Sequence, residues 1–245
     1  MQEDEYGNMF EHEESYWWYG VLDSIVLFYV RKYVKDKKED IFILDVGCGT
    51  GRMMKKLSAY GDVEGFDYAD KAVEFCKKRG LSNVQQQDVN LWNPTSNMYD
   101  VVVSLDVLYH KAVKDDVGVL KNIYHSLKPG GIVILNVPAF SILRRIHDRQ
   151  VSGVRRYRKN KLKNDMEKIG FNIQKATYRL PHVFCILFIK KIFEYFKKDK
   201  SMESDLQELP KIVDRSLRAM GMAENKIIPF LSLPFGSSLF IVAKK

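Results

Sequence analysis

The sequence predicts an α/β protein whose sheet is mostly parallel and is covered by helices on both faces. From residue 40 to residue 137, short apolar segments alternate with longer helical patterns, and this alternation is typical of βαβ units. The apolar segments carry Val, Ile and Leu at consecutive positions, which indicates strands buried on both faces. A glycine-rich turn joins the first segment to the first helix of this region, as a sharp strand-to-helix connection requires.

Seven strands and their connecting helices are predicted in chain order. A helix with an aromatic start, Tyr16–Val34, precedes the sheet. The predicted strands are Ile41–Val46, Asp62–Asp67, Val84–Gln87, Tyr99–Leu105, Gly131–Val137, Phe171–Tyr178 and Ser237–Ala243. The helices between them are predicted at Arg52–Ala59, Lys71–Arg79, Asp115–Leu127 and Lys159–Ile169, the last of which is capped by Gly170.

A long insertion, Leu180–Pro234, separates the last two predicted strands. It is too long for an ordinary loop and contains two helical patterns, Val183–Lys198 and Asp205–Met222. We therefore expect an N-terminal aromatic lid helix in a leading segment at residues 1–36 and an α/β domain at residues 37–245, with a helical cap inserted at residues 180–234.

The composition fits one globular domain with such an insertion. The chain has 245 residues, of which 46% are hydrophobic and 29% are charged, and these values exclude a disordered or collagen-like chain. Its formal net charge is +8, although residues 1–20 carry six acidic side chains and no Lys or Arg. The rest of the chain is therefore strongly basic, which favours an anionic substrate, an anionic membrane surface or nucleic acid as a partner.

The cysteines and the apolar segments indicate a cytoplasmic protein. The three cysteines, Cys48, Cys76 and Cys185, show no C-x-x-C spacing, so we expect neither a disulfide framework nor a bound metal. The acidic start differs from the basic and then apolar start of a signal peptide. The apolar run Val183–Ile189 is far shorter than the roughly 18 to 20 residues that cross a bilayer, so no transmembrane helix is expected.

The glycine-rich turn is the strongest functional signal in the sequence. Asp45 ends an apolar strand, and the turn Gly47-Cys48-Gly49-Thr50-Gly51 leads from it into a helix. Such a turn lets a ligand approach main-chain N–H groups at a helix N-terminus. A dinucleotide-binding motif would need a third glycine where Arg52 stands, and the Gly-Lys-Ser/Thr of a phosphate-binding P-loop is absent.

The turn resembles the first motif of class I S-adenosylmethionine-dependent methyltransferases. The family pattern, an acidic residue followed by x-Gly-x-Gly-x-Gly, is matched at Asp45, Gly47, Gly49 and Gly51. Asp67 closes the next strand 22 residues after Asp45, at the position where the family carboxylate accepts hydrogen bonds from the cofactor ribose. The resemblance implies a Rossmann-like, seven-stranded sheet whose last strand is antiparallel.

Later positions extend the resemblance over residues 40–137. Asp88 matches the family contact to the adenine amino group, Leu105-Asp106 ends the fourth strand, and residues 127–131 match a later family motif. The resemblance implies S-adenosylmethionine as the cofactor and S-adenosylhomocysteine as the product. The implied cofactor-binding residues are Asp45, Gly47, Cys48, Gly49, Gly51, Asp67, Tyr68, Asp88, Val89, Leu105, Asp106 and Trp18.

A second set of motifs is similar to a narrower group of methyltransferases, associated with polysaccharide or cell-envelope biosynthesis. The shared features are an aromatic leader, a strand that ends in Val-Pro-Ala, a His-Asp pair, an Arg-Arg-Tyr run and a C-terminal Leu-Pro-Phe-Gly. They are found here at Trp17-Trp18, residues 137–139, His147-Asp148, Arg155-Arg156-Tyr157 and residues 233–236. This chain departs from the group at Tyr109, where an acidic residue normally precedes the histidine.

Methyl transfer depends mainly on positioning, and a hydroxyl acceptor also needs a base. His110 and His147 follow the fourth and fifth strands, at the sheet edge where ligands bind, and Asp148 could orient His147. Arg155, Arg156 and Tyr157 are the candidates for binding an anionic acceptor, because residues 144–168 carry ten basic and three acidic side chains. The alternative is a solvated basic loop.

We therefore expect O-methylation of a sugar or a lipid-linked glycan intermediate of the envelope. The alternatives are an aromatic or quinone precursor as acceptor, nucleic acid, or a module that binds the cofactor without catalysis. Nucleic acid is disfavoured because no Asn/Asp-Pro-Pro-Tyr/Phe motif occurs.

The aromatic leader could be a lid over the cofactor or an anchor to the core. Residues 183–198 could contact the inner face of a membrane or pack on their own domain.

Overall fold

The computed structural model describes residues 3–35, 37, 40–144, 152–196 and 209–245. The strands are β1 (Phe42–Val46), β2 (Asp62–Asp67), β3 (Val84–Gln86), β4 (Tyr99–Leu105), β5 (Leu127–Pro138), β6 (Asn172–Arg179) and β7 (Ser238–Lys244). The helices in these ranges are α1 (Glu3–His12), α2 (Trp17–Val34), α3 (Arg52–Leu57), α4 (Asp70–Lys78), α5 (Asp116–Ser126), α6 (Lys159–Ile169), α7 (Pro181–Phe196) and α8 (Lys211–Ile227). A short 3-10 helix spans Ser141–Leu143.

The seven strands form one sheet in the order β3-β2-β1-β4-β5-β7-β6. Strands β1 to β5 pair in parallel, whereas β7 runs antiparallel to both of its neighbours, β5 and β6. This arrangement confirms the predicted fold class, including the antiparallel last strand. Between β1 and β4 the strand order reverses direction, and such a reversal creates a crevice at the carboxyl ends of the strands.

The core lies on both faces of the sheet. Along β4, Val102 faces an apolar cluster that includes residues of α5 and α6, while Val101 and Val103 face a second cluster that includes residues of α2 and α3. Consecutive side chains of a strand point to opposite faces, so a strand buried on both sides must be apolar at each position. The runs of Val and Ile in the sequence therefore reflect a covered parallel sheet.

In three places the structure differs from the predicted elements by more than two residues. The predicted leading segment, residues 1–36, contains a separate first helix, α1, before the helix predicted at Tyr16–Val34. Strand β5 begins at Leu127 instead of Gly131, because Leu127 already pairs with Tyr99 before the register shifts. Helix α8 begins at Lys211, directly after Pro210, and residues 205–208 of the predicted helix lie outside the described residues.

Helices α7 and α8 occupy the insertion between β6 and β7, and α8 packs against α2. Trp17, at the start of α2, is buried in an apolar cluster with Leu180, Val183 and Leu217, which belong to this insertion or directly precede it. The aromatic leader thus anchors α2 to the insertion at Trp17. Within the described parts of the chain, no helix combines the length and the apolar character needed to cross a bilayer.

Candidate functional site

The glycine-rich turn lies at the carboxyl end of β1, inside the crevice. Gly47 has a φ of 74°, and its N–H and that of Cys48 donate to the Phe66 carbonyl at the end of β2. A Cβ atom on Gly47 would lie 2.3 Å from Cγ2 of Val107, so the segment after β4 packs directly on the turn. Gly51, with a φ of 80°, starts α3. The left-handed conformation and the close approach explain why glycine is needed here.

Asp67 is joined to this turn by hydrogen bonds. Its Oδ2 atom accepts from the Gly49 N–H at 2.9 Å, and its Oδ1 atom accepts from the Ala69 N–H at 3.1 Å. The Tyr6 hydroxyl of α1 donates to the same Oδ1 atom at 3.2 Å. The side chain is buried, so these bonds fix the carboxylate at the end of β2 with its oxygens beside the glycine turn.

Asp45 is the second buried carboxyl group of the crevice. It is 2% exposed, and no hydrogen-bond partner of its Oδ2 atom is found in the described residues. Burial and the nearby charge of Asp67 raise the pKa of Asp45 to about 7. A buried carboxyl oxygen without a partner at a strand end is suited to a ligand that brings a hydrogen-bond donor or a positive charge.

The loop after β3 is ordered by Asp88. Its Oδ1 atom accepts from the main-chain N–H of Asn90 at 2.8 Å and from the Asn90 side chain, which also donates to the Ala112 carbonyl. The loops after β3 and β4 are therefore tied together at the crevice. Val89 is buried beside Asp88, and Tyr68 is 63% exposed.

The remaining predicted cofactor residues surround the turn at different depths. Cys48 is buried, and its sulfur lies 3.8 Å from that of Cys76. Leu105, at the end of β4, packs against the apolar cluster of α2 and α3. Trp18 is partly buried against that cluster as well, with its ring perpendicular to that of Tyr19 at 5.0 Å.

Asp106 follows β4 in a left-handed backbone conformation, with a φ of 55°. Asn136 of β5 donates to its Oδ2 atom at 3.0 Å, and Asn136 in turn accepts from the buried guanidinium of Arg179 at 3.4 Å. Burial raises the pKa of Asp106 to about 7, although the bond from Asn136 and the charges of Arg179 and Arg156 act in the opposite direction. A strained residue held by a buried network is typical of a functional position.

His110 is less suited to the predicted role of a base. Its Nδ1 atom accepts from the Ala112 N–H at 3.1 Å, and burial lowers its pKa to about 4. The ring is therefore neutral at neutral pH, with its proton on Nε2. In this arrangement Nε2 is a hydrogen-bond donor, and it cannot take a proton from an acceptor hydroxyl.

The predicted anion-binding arginines make main-chain contacts. Arg155 donates from Nη1 to the Val113 carbonyl at 2.8 Å and from Nη2 to the Lys114 carbonyl at 3.2 Å. These bonds fasten the segment after β4, and the predicted contact of Arg155 with an acceptor stays a prediction. Arg156 donates to the Ala139 carbonyl at 2.9 Å, and its charge acts on Asp106.

Tyr157 is 8% exposed, and its hydroxyl lies 2.9 Å from the Leu108 carbonyl oxygen and 2.8 Å from Asp116 Oδ2. This buried side chain supports the loop after β4, and its predicted contact with an acceptor stays a prediction. His147 and Asp148 lie outside the described residues, so their predicted role as base and orienting carboxylate stays a prediction.

Several residues at the crevice were missed by sequence reasoning. Helix α1 brings Tyr6 and Met9 to the glycine turn, and Glu13 binds Arg79 just beyond the helix. An acidic leader on a basic chain could have indicated such a contact. Arg179 directly follows the predicted strand Phe171–Tyr178, where a basic residue is expected to be exposed to solvent. Only its burial reveals its connection to Asp106.

The comparisons with known proteins agree with this geometry. Residues 43–131 match a family model described as a methyltransferase domain. The mouse (Mus musculus) "Probable tRNA methyltransferase 9B" is 29% identical over 49% of this chain and 27% of that protein. The ubiquinone biosynthesis O-methyltransferase of Coxiella burnetii strain RSA 493 is 26% identical over 45% of this chain and 48% of that protein. The chain thus spans less than half of each of these curated relatives.

A solved S-adenosylmethionine-dependent methyltransferase from Archaeoglobus fulgidus has the same fold, with a TM-score of 0.57. Its identity is 19%, and the match covers 91% of this chain and 94% of that chain. This chain carries a class I methyltransferase domain. The cofactor of the methyltransferase domain is S-adenosylmethionine.

The residues of the methyltransferase domain fit this cofactor. Asp67 would hold the ribose hydroxyls, and Asp88 and Val89 would hold the adenine. Asp45, two residues before the glycine turn, has a buried oxygen without a partner among the described residues. When bound, the cofactor supplies a methyl group that is already activated for transfer, so the chain has mainly to orient its partners and exclude water. Among the described residues, no group of three or more His, Cys, Asp or Glu side chains could hold a metal ion.

Proposed function

We propose that the protein transfers a methyl group from S-adenosylmethionine to a hydroxyl of a small anionic acceptor, namely a sugar or a lipid-linked glycan intermediate of the envelope. The supporting observation is the position of the basic segment. Bridges between His110 and Gly153 and between Ala139 and Tyr157 hold residues 153–157 across the ends of β4 and β5, beside the crevice. A basic segment at this edge favours a negatively charged acceptor.

The acceptor hydroxyl must lose its proton as the new O–C bond forms, so the proposal needs a base. Among the described residues we assign this role to Asp106. Its Oδ2 atom is held by Asn136, it follows β4 at the crevice, and its pKa of about 7 lets it accept a proton near neutral pH. His147, with Asp148 as its orienting group, remains the alternative base.

An acceptor linked to a lipid would bring the enzyme to a membrane surface, and α7 suits such a contact. Its residues Ile186, Phe188, Ile189 and Ile192 are exposed, and Lys190 lies among them. Exposed apolar side chains next to lysine are suited to the interfacial layer of an anionic membrane. Vesicles of phosphatidylglycerol and phosphatidylcholine should therefore bind the wild-type protein, and Ile189→Glu should weaken that binding.

Two other acceptor classes are each favoured by a relative. The likeness to a ubiquinone biosynthesis O-methyltransferase favours an aromatic or quinone precursor, and the likeness to a tRNA methyltransferase favours nucleic acid. The family match, residues 43–131, covers the cofactor side of the domain, whereas the basic segment lies beyond it. The glycan proposal therefore rests on the basic segment, which lies outside the family match.

The test is transfer of label from methyl-labelled S-adenosylmethionine into an extract of the source cells. We expect label in the organic-soluble fraction for a lipid-linked glycan, or in the small anionic aqueous fraction for a free sugar derivative. Acid hydrolysis of the labelled product should then release a methylated sugar. Asp67→Asn is the control for transfer that depends on this protein, because it removes the carboxylate at the ribose position.

Each other outcome contradicts the glycan proposal in a recognisable way. If the organic-soluble label withstands mild acid and the labelled methyl group is found on an aromatic ring, the quinone alternative is indicated. Macromolecular label that ribonuclease or deoxyribonuclease releases indicates nucleic acid. If the protein binds the cofactor but labels no fraction of a complete extract, a domain that binds without catalysis is indicated.

A further inference from the structure

Helix α1 lies over the part of the crevice that serves the cofactor. Its residues Tyr6 and Phe10 pack on Ala72 and Phe75 of α4, and the rings of Phe10 and Phe75 stack at 4.6 Å. Helix α4 follows Asp67 directly, so α1 is held beside the ribose carboxylate by apolar packing. None of the predicted acceptor-binding residues belongs to α1 or α4.

Two side chains of α1 enter the cofactor site. The Tyr6 hydroxyl donates to Oδ1 of Asp67 at 3.2 Å, and the Met9 methyl carbon lies 2.9 Å from the position of a Cβ atom on Gly49. Tyr6 is 7% exposed, and burial raises its pKa, so its hydroxyl keeps its proton and remains a donor. Helix α1 therefore covers both the ribose carboxylate and the glycine turn.

The hydrogen-bond capacity of Asp67 is nearly used in this arrangement. An ionised carboxylate offers about four acceptor positions. The N–H groups of Gly49 and Ala69 and the hydroxyl of Tyr6 take three of them. A ribose brings two hydroxyl donors, so the carboxylate lacks one position when the ribose binds with Tyr6 still in place.

We propose that α1 is a lid over the cofactor site, and that the Tyr6 hydroxyl keeps it closed by occupying a hydrogen-bond position on Asp67 that the cofactor ribose requires. Binding of the cofactor then displaces Tyr6, and the affinity for the cofactor includes the loss of the Tyr6–Asp67 bond. This inference goes beyond the proposed transfer reaction, since it concerns how the cofactor gains access to its site.

The other end of the lid is fixed. Glu13, which follows α1, is 2% exposed, accepts from the Thr50 hydroxyl and forms ion pairs with Arg79 and Arg52. Glu14 adds a second contact to Arg79 at 2.9 Å. Because buried ion pairs are costly to break, the lid opens at its Tyr6 end while residues 13–14 remain in place.

The experiment measures binding of S-adenosylhomocysteine by calorimetry to the wild-type protein and to Tyr6→Phe. The variant keeps the ring that packs on α4 and loses only the competing hydroxyl, so we expect it to bind about threefold to tenfold more tightly. Tyr60→Phe is the matched control and should bind as the wild type does, because Tyr60 lies between α3 and β2, at the edge of the sheet opposite the crevice. With a 2′-deoxy analogue of S-adenosylhomocysteine, which brings one ribose donor fewer, the advantage of Tyr6→Phe should vanish.

Unchanged or weaker binding of S-adenosylhomocysteine by Tyr6→Phe would overturn the lid proposal, and weaker binding would assign Tyr6 to holding the cofactor. Hydrogen exchange of the wild-type chain gives an independent readout that needs no variant. Amides of residues 6–10 should exchange faster when S-adenosylhomocysteine is added, and slower or equal exchange contradicts the proposal. If the wild-type protein binds no S-adenosylhomocysteine, the proposed transfer reaction falls together with the lid, whereas a failure of the variant test alone leaves the reaction in place.

Discussion

Two neighbouring carboxyl groups at the crevice differ because of their hydrogen bonds. Asp67 accepts from the N–H groups of Gly49 and Ala69, so both of its carboxyl oxygens have hydrogen-bond partners. Asp45 is equally buried, but its Oδ2 atom has no partner in the described part of the chain, and its pKa rises to about 7. At the residue scale, the folded state therefore carries a destabilising carboxylate at the position closest to the glycine turn.

Asp45→Asn should stabilise the protein at pH 8 when the cofactor is absent. The folded-state pKa is raised from 3.8 to about 7, so the wild-type chain loses stability as the pH rises through this window, whereas Asn does not titrate. The gain of Asp45→Asn in the free energy of unfolding should therefore increase from pH 3.8 to about pH 7 and reach at most about 4 kcal/mol. Urea denaturation at pH 4.5 and pH 8 measures it, with the exposed Asp70→Asn as control. An equal gain at both pH values would contradict this assignment.

Gly47→Ala should destabilise the protein more than Gly80→Ala does. Both glycines have a positive φ, which costs an alanine about 1 to 2 kcal/mol. A Cβ atom on Gly80 meets nothing within 4 Å, whereas one on Gly47 would lie 2.3 Å from Val107 and add about 1 to 3 kcal/mol of steric strain. Urea denaturation checks the difference. In a Val107→Ala background, Gly47→Ala should cost no more than Gly80→Ala does.

At the scale of elements, α2 and α8 form the joint between the N-terminal segment and the insertion. Asp214 of α8 accepts from the Trp17 N–H at 3.1 Å and so caps the first turn of α2. Asn225 donates to the Val21 carbonyl at 2.7 Å. At Gly221 the helices approach so closely that a Cβ atom would lie 2.7 Å from Val21. The joint therefore needs a glycine inside a helix, where alanine is otherwise preferred.

Gly221→Ala should accordingly lower the free energy of unfolding by about 1 to 3 kcal/mol. Gly7→Ala in α1 is the matched control, because a Cβ atom there meets nothing within 4 Å. That substitution should leave stability unchanged or raise it by up to about 1 kcal/mol through helix propensity. Thermal unfolding of the two variants measures both effects. If Gly221→Ala is as stable as Gly7→Ala, α2 and α8 do not make the close contact described at Gly221.

At the scale of the whole molecule, acidic and basic residues that are separated along the sequence come into contact in the folded structure. The acidic N-terminal segment packs on the basic α/β domain beside the glycine turn, where Glu13 pairs with Arg79 and Arg52. The predicted cofactor site thus lies between the N-terminal segment and the sheet, so occupancy of this site should stabilise the whole fold. A ligand that binds only the folded state does this by mass action.

S-adenosylhomocysteine at about 100 times its dissociation constant should therefore raise the free energy of unfolding by about 2.7 kcal/mol. At the same ligand concentration Asp67→Asn should show little stabilisation, because it loses charge-assisted hydrogen bonds. Differential scanning calorimetry with and without the ligand measures both proteins. Equal stabilisation of Asp67→Asn would remove Asp67 from the cofactor site.

The sheet and its glycine turn could be predicted from the sequence because their signals are local. Consecutive apolar residues in β1 and β4 indicate burial on both faces, and the glycines at 47, 49 and 51 mark backbone conformations that other residues adopt only at a cost. Spacing along the chain then places Asp67 and Asp88 at strand ends. These features depend on residues that lie within a few positions of one another.

Tertiary structure decided which side chains surround the site. Tyr6 meets Asp67 across 61 residues, and Arg179 lies 43 residues from Asn136, so neither contact leaves a periodic signal in the sequence. Arg155 likewise donates to carbonyl groups more than 40 residues away along the chain, a contact that its position in a basic run does not indicate. The sequence by itself determined the sheet, the turn and the cofactor class, because backbone conformation and burial are encoded locally. The lid and the buried network beside Asp106 required the folded chain, because hydrogen bonds and charges act through space.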